Sequence, residues 1–227
     1  ALACLPITTH GSCQDSGCVG CVLPGNAQGN VKAMDERLMR ARPHPGQMQT
    51  AENIRHILSG SRIAEKYRDY RVQDALSLRC MPQLHGAVKK TLKDGLESID
   101  IELNSSVDNP LIFEENGEAE ALMGCNADGT YLGMASDFLC IALTDLTKMA
   151  ERRTDRLVNR HLSELPPFLN ASEDFNDGLM MIQYTAAGLA GEMRLLSHPA
   201  VVDNVLPAPT RRTMYPWDTM PAKRRLA

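Results

Sequence analysis

The chain has 227 residues, 43% hydrophobic and 23% charged, the profile of an ordinary globular sequence and not of a disordered or fibrous one. No apolar run approaches the roughly 20 residues that cross a bilayer, and a formal charge of −4 offers no footprint for nucleic acid, so neither a membrane nor a nucleic-acid partner is expected. Aromatic residues make up 4% while methionines number 12, which suits helices better than a β-sandwich.

The two ends differ from the middle. Cys4, Cys13, Cys18 and Cys21 crowd the first 21 residues, and Cys18-Val19-Gly20-Cys21 is a CxxC. Zinc needs four ligands with two short spacings, whereas here the pairs share one thiol and His10 is the only nearby histidine. Ala1 to Pro6 has neither the basic flank nor the apolar core of a signal peptide, so disulfides are not expected and cytoplasmic residence is. Residues 1–29 therefore read as an irregular segment with incidental thiols. At the other end, residues 208–227 carry five basic side chains and one acid, leaving 19 basic against 27 acidic residues in the rest.

From about residue 48 the pattern is helical. Val88, Leu92, Leu96, Ile99 and Leu103 form one apolar stripe, begun after Pro82 and ended by Asn104-Ser105-Ser106 and Pro110. Leu132, Ala135, Leu139, Ala142, Leu146 and Met149 form a second, extended by charge to Arg160 and stopped at Pro166-Pro167. Leu179, Ile182, Ala186, Leu189, Met193 and Leu196 form a third, ending before Pro199. Spacings that alternate three and four are those of helices packed lengthwise, so the expected fold is mainly α, a bundle of long antiparallel helices. Ala186, Ala187, Gly188, Ala190 and Gly191 leave little bulk on the third helix and predict a close neighbour, in a core or an oligomer interface.

Polar chemistry is concentrated between the helices. Arg42 to Gln47 (RPHPGQ) reads as a rigid turn, and Val72 to Gln83 as an irregular segment ending at a helix start. Asn104 to Leu111 is a dense Asn/Asp/Ser turn, and Gly124 to Thr130 a glycine-bounded loop. Antiparallel helices bring alternate ends together, so such loops can converge on one site.

In this order the segments resemble the histidine and aromatic amino-acid ammonia-lyase family. The matching pieces are RPHPGQ at 42–47, VQDALSLRCMPQLHGA at 72–87, NSSVDNPLIF at 104–113, AERR at 150–153, LPPFL at 165–169, MIQYTAA at 181–187 and HPAxVD at 198–203. The resemblance implies a lyase domain over residues 30–206, a fumarase/aspartase-like helix bundle, and a homotetramer with shared active sites. It implies elimination of ammonia from an α-amino acid to give an unsaturated acid. The electrophile it implies is 4-methylideneimidazol-5-one, formed autocatalytically from an Ala-Ser-Gly triplet.

Carried over by motif, Arg79 matches the carboxylate-binding arginine, Gln73 a glutamine lining the pocket, and Asn126 an asparagine of the glycine loop. Tyr131 is a further candidate neighbour. The plain alternative for Arg79 is a surface pairing with Asp74. Leu76 stands where the family usually has a tyrosine, and Ala127 and Asp128 stand where the histidine-specific pattern has Phe and His. No Ala-Ser-Gly triplet occurs in the 227 residues. The chain is thus expected to be a partial lyase without its own catalytic electrophile or base loop.

After Asp203 the family pattern continues Ala-Asn-Gln-Glu-Asp-x-Val-Ser-Met-Gly. Codons permitted for the segment from Ala208 to Asp218 give it when each codon's third base is joined to the first two of the next, so residues 207–227 are expected to be a frameshifted tail. Residues 1–29 give weaker scraps of the same kind. Met220-Pro221-Ala222-Lys223 resembles a fumarase/aspartase loop but lacks its flanking residues. A 2,3-aminomutase and a non-catalytic helical oligomerisation segment are the other readings.

Overall fold

The computed structural model describes residues 31–172 and 176–203, so the N-terminal cysteines and the basic tail lie outside the described residues. Short helices α1 (Glu36–Ala41), α2 (Pro45–Ile57), α3 (Arg62–Lys66) and α4 (Leu76–Arg79) precede the long α5 (Met81–Leu103). A hairpin of β1 (Leu111–Glu115) and β2 (Glu118–Leu122) leads to α6 (Thr130–Val158), α7 (Arg160–Ser163) and α8 (Met180–Leu196). The mainly helical expectation holds, and the three apolar stripes fall on α5, α6 and α8.

Two local readings are corrected. RPHPGQ is not wholly a turn, because Pro45, Gly46 and Gln47 form the first turn of α2, where a proline's missing N–H costs no hydrogen bond. The segment after Pro110 pairs antiparallel with Leu111 opposite Leu122. Asn116 and Gly117, with φ of 55° and 81°, make the two-residue connection that right-twisted strands favour.

Helices α5, α6 and α8 lie side by side. Leu84 and Val88 of α5 share an apolar cluster with Ala142 and Leu146 of α6, and a Cβ at Gly95 would meet Leu139 Cδ1 at 3.5 Å. Chain order therefore reverses between α5 and α6. It reverses again between α6 and α8, where Thr144 Oγ1 donates to the Met193 carbonyl (3.1 Å) and Gln183 Nε2 to Glu151 Oε1 (3.5 Å). The bundle is antiparallel.

Helix α2 crosses α5 with almost no space between backbones. A Cβ at Gly46 would lie 2.7 Å from the Gly86 carbonyl oxygen, and one at Gly86 2.5 Å from the Gln47 nitrogen. The glycines of RPHPGQ and of HGA thus meet each other. Behind this crossing Met34, Met39, Ala51, Ile54, Leu58 and Met81 form a second core. By contrast, nothing among the described residues comes within 4 Å of a Cβ at Gly188 or Gly191, so the small residues of α8 find no close neighbour on that side.

The two kinds of glycine predict opposite responses. Gly86→Ala forces backbone against backbone and should destabilise the chain by about 2 kcal/mol in chemical denaturation. Gly95→Ala places a methyl in ordinary contact with Leu139 and relieves helix-interior glycine, so it should stabilise by about 0.5–1 kcal/mol.

Candidate functional site

The segment 72–80 is one short turn of helix between two anchors. In α4 the Leu78 and Arg79 amides donate to the Ala75 carbonyl (2.9 and 3.0 Å), and the Cys80 amide to the Leu76 carbonyl (3.0 Å). Ser77 and Leu78 face inward and are buried. Leu76 and Arg79, three residues apart, share the outward face and are exposed, as is Gln73 just before. The Arg79 side chain makes no hydrogen bond or ion pair among the described residues, so the pairing with Asp74 is not formed. Asp74 is itself buried. An unengaged guanidinium on an exposed face is free to take a carboxylate in two parallel hydrogen bonds.

The turn is gripped by the C-terminal part of α6. Arg153 Nε donates to the Ser77 carbonyl at 2.8 Å, and both terminal guanidinium nitrogens lie 3.4 Å from His85 Nε2. Arg153 and His85 are 4% and 1% exposed, so a full charge sits inside the bundle against a carbonyl and an imidazole. Four residues further along α6, Leu157 packs on Leu78. Burial pushes the Cys80 thiol up, which leaves it neutral at physiological pH.

Asn126 is at the other end of the bundle. It is exposed in the loop before α6, which is tied to the turn after α5 by the Gly124 amide donating to Asn109 Oδ1 at 3.0 Å. Asp128 is turned inward to the start of α6, accepting from the Thr130 amide (2.7 Å) and the Thr130 hydroxyl. Tyr131 is exposed beside it. Between Thr130 and Arg153 the helix rises by about 35 Å at roughly 1.5 Å per residue. Arg79 on its turn and Gln73 in the bend just before it are therefore at one end, and Asn126 and Tyr131 about three-quarters of the bundle's length or more away. Within one chain these groups do not converge.

The large open cleft of about 1130 Å³ between α5, α6 and the end of α8 contains Tyr131 but not Arg79, Gln73 or Asn126. Its walls include Val88, Met134, Phe138 and Ile141, an apolar surface. No cluster of metal-ligating side chains exists among the described residues, and no helix there is long and apolar enough to cross a membrane.

Two carboxylates that the sequence reading did not single out, Asp137 and Glu151 of the AERR motif, prove to be fasteners. Asp137, buried on α6, accepts from the Val201 amide at 2.8 Å and so holds the HPAxVD segment. Glu151 of AERR is held ionised by Arg152 and receives Gln183 of MIQYTAA. A carboxylate on the buried stripe of a helix was the signal available for both.

A family profile for aromatic amino acid lyases matches residues 2–210, wider than the 30–206 over which the motifs are recognisable. A histidine ammonia-lyase of Koribacter versatilis is 48% identical over 82% of this chain and 39% of its own length. One of Caldanaerobacter subterraneus subsp. tengcongensis is 44% identical over 78% of this chain and 35% of its own. Among solved structures, histidine ammonia-lyase from Trypanosoma cruzi superposes with a TM-score of 0.86 at 27% identity, over 99% of this chain and 42% of that one. Tyrosine aminomutase from Streptomyces globisporus gives 0.84 at 33% identity, over 99% and 47%. The chain thus spans less than half the length of these relatives.

The His85–Arg153 contact makes the fold sensitive to acid. Burial first, then the Arg153 and Lys89 charges, lower the His85 pKa to about 4 from 6.5. The unfolded chain takes up this proton near pH 6.5 and the folded one does not until about pH 4. The contribution is therefore intact above pH 6.5 and is lost as pH falls through that window, by up to about 3 kcal/mol. Denaturation midpoints measured from pH 7 to 4 should fall more steeply for the native chain than for His85→Gln.

Proposed function

Because this chain belongs to the aromatic amino acid lyase family, we propose that it contributes one part of an ammonia-lyase active site, the part that binds the substrate carboxylate. The observation that carries this reading is Arg79: exposed, without an ion-pair partner among the described residues, and beside Gln73 on an anchored turn. The guanidinium fork holds the α-carboxylate and fixes the amino acid's orientation, while Gln73 offers an amide to the same polar group. Elimination then needs an electrophile for the amino group and a base for the β-proton.

The 4-methylideneimidazol-5-one group that the family resemblance implies does not fit the residues of this chain. The 227 residues hold no Ala-Ser-Gly triplet, and the donors on the described turn suit a carboxylate. In this reading the electrophile and the base come from outside these 227 residues, and residues 1–29 and 207–227 flank the lyase domain, 30–206, as out-of-frame segments. The functional unit is a homo-oligomer, a tetramer by family resemblance. Two features support that: Asn126 and Arg79 stand at opposite ends of one bundle, and α8 exposes Leu179, Ile182, Tyr184, Leu189 and Leu195.

The relatives' names favour histidine among the substrates, and cytoplasmic action is carried over from the sequence reading. Ala127 and Asp128 depart from the histidine-specific loop, and Asp128 is engaged at the start of α6. A 2,3-aminomutase is the second reading, favoured by the likeness to tyrosine aminomutase and by Leu76 in place of a tyrosine.

Ammonia release from histidine, phenylalanine and tyrosine separates these readings. The 227-residue chain alone should release none, and a version extended upstream and restored in frame after Val205 should release it. In that restored protein Arg79→Met should cost about 1.5–3 kcal/mol in kcat/KM through loss of the paired hydrogen bonds. Turnover by the short chain, or an unchanged kcat/KM, would overturn the assignment, and a β-amino acid product would identify the aminomutase.

A further inference from the structure

Four residues cannot hold themselves as a helix, because nucleating a single turn fixes several residues for one hydrogen bond. The turn α4 must therefore be fixed from outside, and the outside group is on α6. Arg153 Nε donates to the carbonyl of Ser77, one of the terminal carbonyls that a short helix leaves without an internal partner. Leu157, one helical turn on, covers Leu78. Both contacts fall on the buried face of α4, so Leu76 and Arg79 are left pointing outward.

We propose that Arg153 is the positioning residue of the carboxylate-binding turn, with His85 as the acceptor that aims its guanidinium at the Ser77 carbonyl. Arg153 touches no substrate in this arrangement. Its planar fork reaches the carbonyl through Nε while its two terminal nitrogens straddle His85 Nε2, each at 3.4 Å. A lysine supplies the same charge as a point and cannot make both contacts at once. Ser77 is only two residues from Arg79, so loosening that carbonyl loosens the direction in which Arg79 points. The inference rests on the carboxylate-binding reading of Arg79 for its functional meaning.

Amide hydrogen exchange on the 227-residue chain tests it. In Arg153→Lys the protection of the Leu78, Arg79 and Cys80 amides should fall at least tenfold, while amides of the α5–α6 core around Val88 and Leu146 change less than threefold. His85→Gln keeps an acceptor and should preserve the turn's protection. His85→Leu removes the acceptor and should lose it, which provides the reading should Arg153→Lys not fold. Unchanged protection of the turn, or a loss spread evenly over α5 and α6, overturns the proposal. Arg79→Met removes the proposed ligand group without touching the anchor and should leave the exchange pattern intact. A failure of the substrate reading therefore appears in the activity of Arg79→Met, and a failure of the anchor appears in exchange.

Discussion

Helices α5 and α6, 23 and 29 residues long, are a rigid antiparallel pair, and their length governs where polar chemistry can sit. Each helix end needs a polar turn to satisfy its unpaired amides or carbonyls, so the two ends of the pair carry two separate groups of polar loops. One end holds the 72–80 turn against Arg153, and the other holds the Asn109–Gly124 contact and Asn126. Among the described residues the two ends do not meet, because the apolar cluster along the pair holds the helices side by side. On α8 the described residues leave Ile182 and Leu189 uncovered, with Leu179 just before the helix, so this face is apolar surface.

The pair is held at its Arg79 end by a buried charge. A guanidinium does not neutralise by losing its proton, so Arg153 keeps a full charge at 4% exposure and has to be solvated by the protein. The Ser77 carbonyl and a neutral His85 are part of that solvation, and the same geometry fixes the tautomer: Nε2 faces the donors, which places the ring proton on Nδ1. The arrangement stabilises less than an apolar core of equal size would. What it adds is direction. An apolar contact such as Leu78 on Leu157 tolerates sliding, whereas a hydrogen bond to one carbonyl sets the register of the turn that carries Arg79.

The sequence made the long helices legible because their stripes are read locally. Val88, Leu92 and Ile99 are buried on α5 and Leu139, Ala142 and Leu146 on α6, as the spacing requires. The same rule overstated α8, where only Ala190 is fully buried, because periodicity reveals a face to be covered and not which molecule covers it. The hairpin went unread although Asn116-Gly117 is a strong turn signal, because its strands are short and almost wholly exposed, and the alternation in β2 is only of Glu and Ala. Arg79, Gln73 and Asn126 were legible only through motif resemblance. An exposed arginine in a short turn has no composition or spacing that sets it apart, and its distinction, a neighbouring acid it does not pair with, is visible only in three dimensions.

The motif residues and the anchors around them divide by which way they face. Gly46 and Gly86 admit the closest backbone crossing, Asp137 holds the end of the chain's described part to α6, and Arg153 and His85 hold α4. All of these point inward. Arg79, Gln73, Leu76 and Asn126 point outward at the ends of the bundle. The inward set works at contacts of a few tenths of an ångström's tolerance and so constrains residue type almost completely. The outward set is constrained by whatever meets it, which lies outside the described residues. The departures from family pattern at Leu76 and Ala127 fall in loops and turns outside the interlocking core. Substitutions there can retune what is bound without disturbing the bundle, so this part of a lyase scaffold can be kept while its chemistry is decided elsewhere.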